Sequence, residues 1–267
     1  MQATIDDLPV HYVEHGTGTA LVALHGSYSA HQEVAGFLEP LFRNRPDYRR
    51  IYLDLPGMGD TPAPARLRGS NDVLEVVLGF VDDVIGDQPF LLVGHSAGGY
   101  LARGVANRRP DQVAGLALIC PLMADVDHLD EHRPVDVTDD IGVALTPEQE
   151  AEFRGYFVIQ TPATARRFLD AVVPVLGRFD AKGLERMSGD WKLDPSPEAG
   201  PPYEKPTVIL TGRRDNFVGY RGQWQLMDHY PRATFATIEP AGHALPHEHP
   251  SIVEAILAAW LDEVGAM

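Results

Sequence analysis

Phe90-Leu91-Leu92-Val93-Gly94-His95-Ser96-Ala97-Gly98-Gly99-Tyr100 decides how this chain is read. Its apolar start has the length and character of a buried strand, and a helical pattern follows. Between the two lies Gly-x-Ser-x-Gly, the spacing of a strand that turns at once into a helix with a serine at the apex. A residue held on so tight a turn has a strained backbone, and only small residues two positions to either side let strand and helix approach. Gly94 and Gly98 satisfy that demand. A serine hydroxyl is a weak nucleophile until a base removes its proton. Ser96 therefore needs a histidine, and an acid to orient it, from elsewhere in the chain.

Outward from this turn, short apolar runs recur at wide spacing: Ala20 to Leu24, Arg50 to Leu53, Val113 to Ile119, Thr207 to Leu210 and Ala233 to Ile238. Continuous rather than alternating, they predict strands covered on both faces, the habit of parallel sheets. Val10 to Val13 alternates and fits an antiparallel strand at the sheet's edge. Helical stripes separate the runs, as with Leu74, Val77, Leu78, Val81 and Ile85 within 70–85, and again over 250–264. The expected fold class is α/β: a mostly parallel, doubly wound sheet flanked by helices.

The alternation fails over residues 122–203, where no strand is evident. Thr146-Pro147-Glu148-Gln149 reads as a capping box that opens a helix. Further helices are expected over 162–173 and 181–187, before the proline-rich passage from Asp194 to Pro202 leads back to the sheet. We therefore expect a helical cap, 122–203, inserted into a core domain built from 1–121 and 204–267.

A chain of 267 residues supports one large core that buries roughly 75% of its unfolded surface. With 44% hydrophobic and 22% charged residues, the chain has the composition of a globular protein rather than a disordered one. The net charge of −16, from 38 acidic and 22 basic residues, argues against nucleic acid and anionic membrane surfaces as partners and leaves a small-molecule substrate. Cys120 is the single cysteine, so no internal disulfide ties the fold to an oxidising compartment. No basic segment followed by an apolar one opens the chain, and no run reaches the ~18 apolar residues of a membrane span. The expected location is cytoplasmic.

Four segments, in order, carry a family likeness: His25-Gly26-Ser27, Asp54-Leu55-Pro56-Gly57-Met58-Gly59-Asp60-Thr61, Gly94 to Gly99, and the late pair Gly212-Arg213-Arg214-Asp215 with Gly242-His243. Over nearly its whole length the chain resembles the α/β-hydrolase superfamily. The resemblance implies acyl transfer to water by a triad of Ser96, Asp215 and His243. His243 follows the glycine after the last strand, whereas His247 and His249 belong to the loop or helix beyond. Asp215 stands just past a strand's C-terminal end, and Asp125 is its rival because some members carry the acid after the earlier strand. The resemblance also implies an oxyanion hole formed by the backbone N–H groups of Ser27 and Ala97. It gives His25 a bracing role, and His95 reads as a packing residue. Members that use an aspartate nucleophile, dehalogenases and epoxide hydrolases, are excluded by Ser96.

The expected substrate is a carboxylic ester, lactone or thioester. Carbon–carbon bond hydrolysis, lyase or cofactor-free oxidative chemistry on the same scaffold, and a non-catalytic receptor, are the alternatives. No nucleotide fingerprint is present, and His128-x-x-x-His132 lacks the glutamate of a metal helix motif, so neither cofactor nor metal is expected. A substrate pocket is expected along Tyr28, Phe157, Trp191 and Val218. Phe153, Tyr156 and Phe157 share one helical face, which would either roof the site or simply dock the cap on the core.

Overall fold

The apolar runs form the strands their continuity predicts. In the computed structural model, which describes residues 1–125 and 129–266, eight strands make one sheet in the order β1-β2-β4-β3-β5-β6-β9-β10. In chain order these are β1 (Gln2–Ile5), β2 (Leu8–His15), β3 (Thr19–Leu24), β4 (Tyr48–Leu53), β5 (Phe90–His95), β6 (Val113–Ile119), β9 (Thr207–Gly212) and β10 (Ala233–Ile238). β1 pairs with β2, and β2 with β4, in antiparallel register; the other pairs are parallel. The alternating strand expected at the sheet's edge, β2, is longer than expected and lies second from the edge, between β1 and β4. It folds back as a hairpin with β1 through Asp6 and Asp7, both at positive φ (45° and 62°), the backbone that a two-residue hairpin turn requires.

Side chains of β5, all buried, point alternately to the two faces. Phe90 and Leu92 join a core with Val77, Phe80 and Val81 of α2 (Ser70–Val84) and residues of α3 (Ala97–Arg108). Leu91 and Val93 join another with Val34 and Leu38 of α1 (His31–Leu38) and Leu257 and Leu261 of α8 (Pro250–Gly265). Helices thus cover both faces. From β3 the chain crosses through α1 to β4 on one side, whereas from β5 it crosses through α3 to β6 on the other. The loops after β3 and β5 therefore diverge and leave a crevice at the strands' C-terminal ends, where open α/β sheets gather their ligands.

Between β6 and β9 the described residues add nothing to this sheet. Its capping box forms as read: Gln149 N–H donates to Thr146 Oγ1 at 3.2 Å and Thr146 N–H to Gln149 Oε1 at 3.0 Å, starting α4 (Pro147–Tyr156). Two short strands, β7 (Asp136–Val137) and β8 (Ile159–Gln160), pair in parallel where none was expected; two residues are too few to show a period. The single helix expected over 162–173 is α5 (Pro162–Arg167), continued by a π-helical turn (Phe168–Val172) and a 3₁₀ turn containing Pro174. Phe153, Phe157 and Phe168 close a small core of their own here. Further on, the segment holding α6 (Ala181–Ser188) is stitched to the sheet domain by backbone bonds, Gly59 N–H to Arg178 C=O (2.8 Å), Asp180 N–H to Gly57 C=O (2.8 Å) and Ser70 N–H to Asp190 C=O (2.9 Å).

Candidate active site

Ser96 caps α3 with φ 55° and ψ −122°, a left-handed backbone rare for a non-glycine residue and costly outside a functional turn. The neighbouring glycines make the turn possible. A Cβ on Gly98 would lie 2.4 Å from the Leu24 carbonyl oxygen and 2.5 Å from that of His25; one on Gly94 would lie 2.4 Å from the Gly98 oxygen. Backbone cannot yield by such distances. The Ser96 carbonyl accepts from the N–H groups of Gly99 (2.9 Å), Tyr100 (3.2 Å) and Leu122 (3.0 Å), which fixes the apex from both sides.

Asp215 follows β9 and His243 follows β10, and the sheet brings both to Ser96. His243 Nε2 lies 2.9 Å from Ser96 Oγ, and His243 Nδ1 lies 2.7 Å from Asp215 Oδ2. All three residues are buried. The other carboxylate oxygen, Oδ1, accepts the N–H groups of Phe217 and Val218, each at 2.9 Å. An ionised carboxylate only accepts, so the Nδ1 position carries the proton and Nε2 turns its lone pair to the serine hydroxyl. Burial opposes charge on the His243 imidazole, but the Asp215 carboxylate, with smaller contributions from Glu33 and Glu248, outweighs it, and the pKa stands above the ordinary histidine value. The ring lies between Phe217 (centroids 5.2 Å apart, stacked at 24°) and His95 (5.1 Å).

The rival groups are engaged elsewhere. Asp125 is exposed and pairs with Lys192 Nζ at 2.7 Å. His249 donates to the Pro240 carbonyl, and His247 Nε2 faces Glu33 Oε1 at 3.6 Å. Leu55 N–H donates to His25 Nε2 (3.0 Å), so the proton is on His25 Nδ1, which donates to the Gly26 carbonyl (2.7 Å). That neutral ring, its pKa lowered by burial, ties the loop after β3 to the end of β4. Burial likewise brings His95 down to about 4, and it donates to the His243 carbonyl at 3.3 Å.

Ser27 and Ala97 line one cavity of about 160 Å³, together with Leu55, Tyr100, Leu184 and Met187. Tyr28 and Trp191 also line it. Phe157 and Val218 do not: Phe157 is fully buried against Phe153 and Phe168, and Val218 is buried behind Asp215, to which its N–H donates. The contribution of α6, Leu184 and Met187, was not anticipated. Their one-turn spacing was visible, but nothing in the sequence says which face of such a helix meets a cavity. A larger open groove runs over Arg213, Tyr220 and Glu239 and shares no lining residue with this cavity.

Among the described residues, two groups bring possible metal ligands together. One, His95, Cys120 and His243, includes the ring that faces Ser96. In the other, the Asp54 carboxylate already accepts four bonds, from His31 N–H (2.8 Å), His31 Nδ1 (2.9 Å), His11 Nδ1 (2.9 Å) and Asp60 N–H (3.0 Å). His128 lies outside the described residues; His132 Nε2 donates to the Arg154 carbonyl at 2.8 Å.

Comparison with known proteins agrees with the fold. A family model described as "Alpha/beta hydrolase family" matches residues 15–256. The lipase LipV of Mycobacterium tuberculosis is 41% identical over 220 residues, covering 78% of this chain and 81% of its own. The pimeloyl-[acyl-carrier protein] methyl ester esterase of Shewanella woodyi is 26% identical over 95% of this chain and 98% of its own. Among solved structures, an alpha/beta superfamily hydrolase from Oenococcus oeni superposes with a TM-score of 0.90 at 29% identity, over 99% of both chains. Among the described residues no helix is long and apolar enough to cross a membrane.

Proposed function

The chain belongs to the alpha/beta hydrolase family, and from that premise we propose that it is a serine hydrolase cleaving uncharged carboxylic esters of short to medium acyl length through an acyl-enzyme on Ser96. The observation that carries this reading is the continuous bond path from Asp215 through His243 to Ser96 Oγ. His243 Nε2 takes the Ser96 proton as Oγ attacks the ester carbonyl carbon. The tetrahedral oxyanion is held by the N–H groups of Ser27 and Ala97, and His243 returns the proton to the leaving alcohol. Water, deprotonated by the same ring, then releases the acid. Gly26 supports this assignment: its missing Cβ would stand 3.0 Å from Ser96 Cβ, tighter than an ordinary carbon contact, so glycine eases the close approach of the Ser27 loop.

The cavity supports the substrate class. At about 30 Å³ for each water-sized group, its 160 Å³ receives about five methylene-sized groups. No charged side chain is among its lining residues, and an acyl chain ending in a carboxylate would be buried there without a counter-charge. The names of the two relatives, a lipase and a methyl ester esterase, agree with ester cleavage. The test is a panel of acyl esters, lactones and acyl thioesters of graded chain length, with mass spectrometry of the trapped enzyme. An acyl adduct on Ser96 and a preference for acyl chains of about four to six carbons are expected. Turnover without such an adduct, or without added water in the product, refutes the proposal.

A further inference from the structure

One buried carboxylate close to the reacting groups has no part in the mechanism above. Glu33, on α1, is 5% exposed and makes three contacts, each with a different element. Ser29, in the same loop as Ser27, donates its hydroxyl to Glu33 Oε2. Tyr156, the last residue of α4, donates its hydroxyl to Oε1 at 3.1 Å. His247, in α7 (Leu245–Glu248) just beyond the catalytic base, brings Nε2 to 3.6 Å from Oε1. Tyr156 in turn presents its ring to His243 (centroids 6.1 Å apart) and to Phe217 (5.8 Å), the residue stacked on His243.

We propose that Glu33 is a positioning residue of this site: its carboxylate fixes the Ser27 loop through Ser29 and the aromatic wall beside His243 through Tyr156, and it stands as a second fixed negative charge near the imidazole. The proposal rests on Ser96 and His243 as the reacting pair. Charged and titratable groups meet His243 from every side: Asp215 after β9, His95 at the end of β5, Cys120 after β6, Glu248 on α7, Tyr156 on α4 and Glu33 on α1. Glu33 itself faces Ser29, His25, His95, His247 and Tyr156. Burial would raise its pKa, but His247 first, with the charge of His95 and the Ser29 hydroxyl, outweighs burial and holds it below the usual carboxylate range. Of the two acids that act on His243 without touching it, Glu33 alone also reaches the Ser27 loop. Glu248 spends its oxygens on the N–H groups of Val158 (2.6 Å), Ile159 (3.1 Å) and Gly242 (2.6 Å).

Charge and tether separate in two variants. Glu33→Gln keeps an acceptor for Tyr156 or Ser29 but removes the charge, and a lone imidazolium loses support. The His243 pKa, followed by NMR of its ring, and the acidic limb of kcat/KM for p-nitrophenyl butyrate should both move to lower pH. Glu33→Asp keeps the charge but shortens the reach. Its limb should stay within about 0.2 of wild type, while kcat falls about tenfold for the lost bonds. Where Glu33→Gln does not fold, the pair Ser29→Ala with Tyr156→Phe leaves the carboxylate and cuts both tethers, and about the same tenfold loss is expected. Lower melting temperatures with unchanged kcat and an unchanged His243 titration would overturn the proposal. Wild-type protein inert to every ester, yet with a His243 titration that shifts in Glu33→Gln, would refute the ester reading and leave this one standing.

Discussion

Replacing Asp215 by Asn should cost about 10⁴ in kcat, about 5.5 kcal/mol of transition-state stabilisation, while leaving the fold intact. The reason lies in which way the amide must face. Oδ1 of Asp215 accepts two backbone N–H groups at 2.9 Å, from Phe217 and Val218, and an amide nitrogen in that place would meet two donors. The Asn oxygen therefore stays with the backbone and the NH₂ turns to His243 Nδ1, 2.7 Å away. To accept from it, the ring must move its proton to Nε2, which then points N–H at Ser96 Oγ, 2.9 Å away, and can take no proton from it. Because both backbone bonds and the side-chain volume survive, the melting temperature should hardly change, so lost activity cannot be blamed on unfolding. The assay is single-turnover acylation with an activated ester, beside a thermal melt. Retention of more than about a tenth of wild-type kcat would refute the tautomer argument. The same loss from Asp125→Asn, whose carboxylate is exposed and paired with Lys192, would move the acid to the strand before the insertion.

Ser96→Ala should abolish labelling by a fluorophosphonate probe with the fold unchanged; peptide mapping that finds the label on Ser27 or Ser29 instead would relocate the nucleophile. The acidic limb of kcat/KM should lie above the ordinary histidine value of ~6.5, because His243 must be neutral to act and Asp215 favours its charged form over the opposing effect of burial. A limb below that value would show that desolvation prevails. Trp191→Ala should shift preference toward longer acyl chains, by about 1–3 kcal/mol for each methylene newly accommodated, since the half-buried indole walls the cavity. Phe157→Ala should instead cost about 3–5 kcal/mol of stability and leave the chain-length profile as it was, because that ring is buried away from the cavity.

The elbow was legible because three independent constraints converge on a few residues: a continuous apolar strand, two glycines at fixed offsets and a helix start. Asp215 and His243 needed something more. Their sequence context says only that each follows a strand, and it was the resemblance, with its fixed order of motifs, that separated them from Asp125 and from His247 and His249. Glu33 lay beyond reach altogether. α1 is eight residues long and carries no motif, and a glutamate in such a stretch reads as solvated surface unless one knows that Ser29, Tyr156 and His247 converge on it.

The aromatic face of α4 shows why the inserted segment resisted reading. Phe153, Tyr156 and Phe157 share a side of the helix, so spacing alone assigns them one fate, either roof or dock. The two phenylalanines turn into a core with Phe168, where their rings lie 5.4 and 5.9 Å from its centroid. Tyr156 lies between that core and His243 because its hydroxyl has a partner to reach, the Glu33 carboxylate. The half-buried phenol is held by that acceptor, so the position of Tyr156 depends on a residue 123 places earlier in the chain. Periodicity in a sequence records which side of a helix is covered; what covers it is decided by partners that are neighbours only once the sheet has formed.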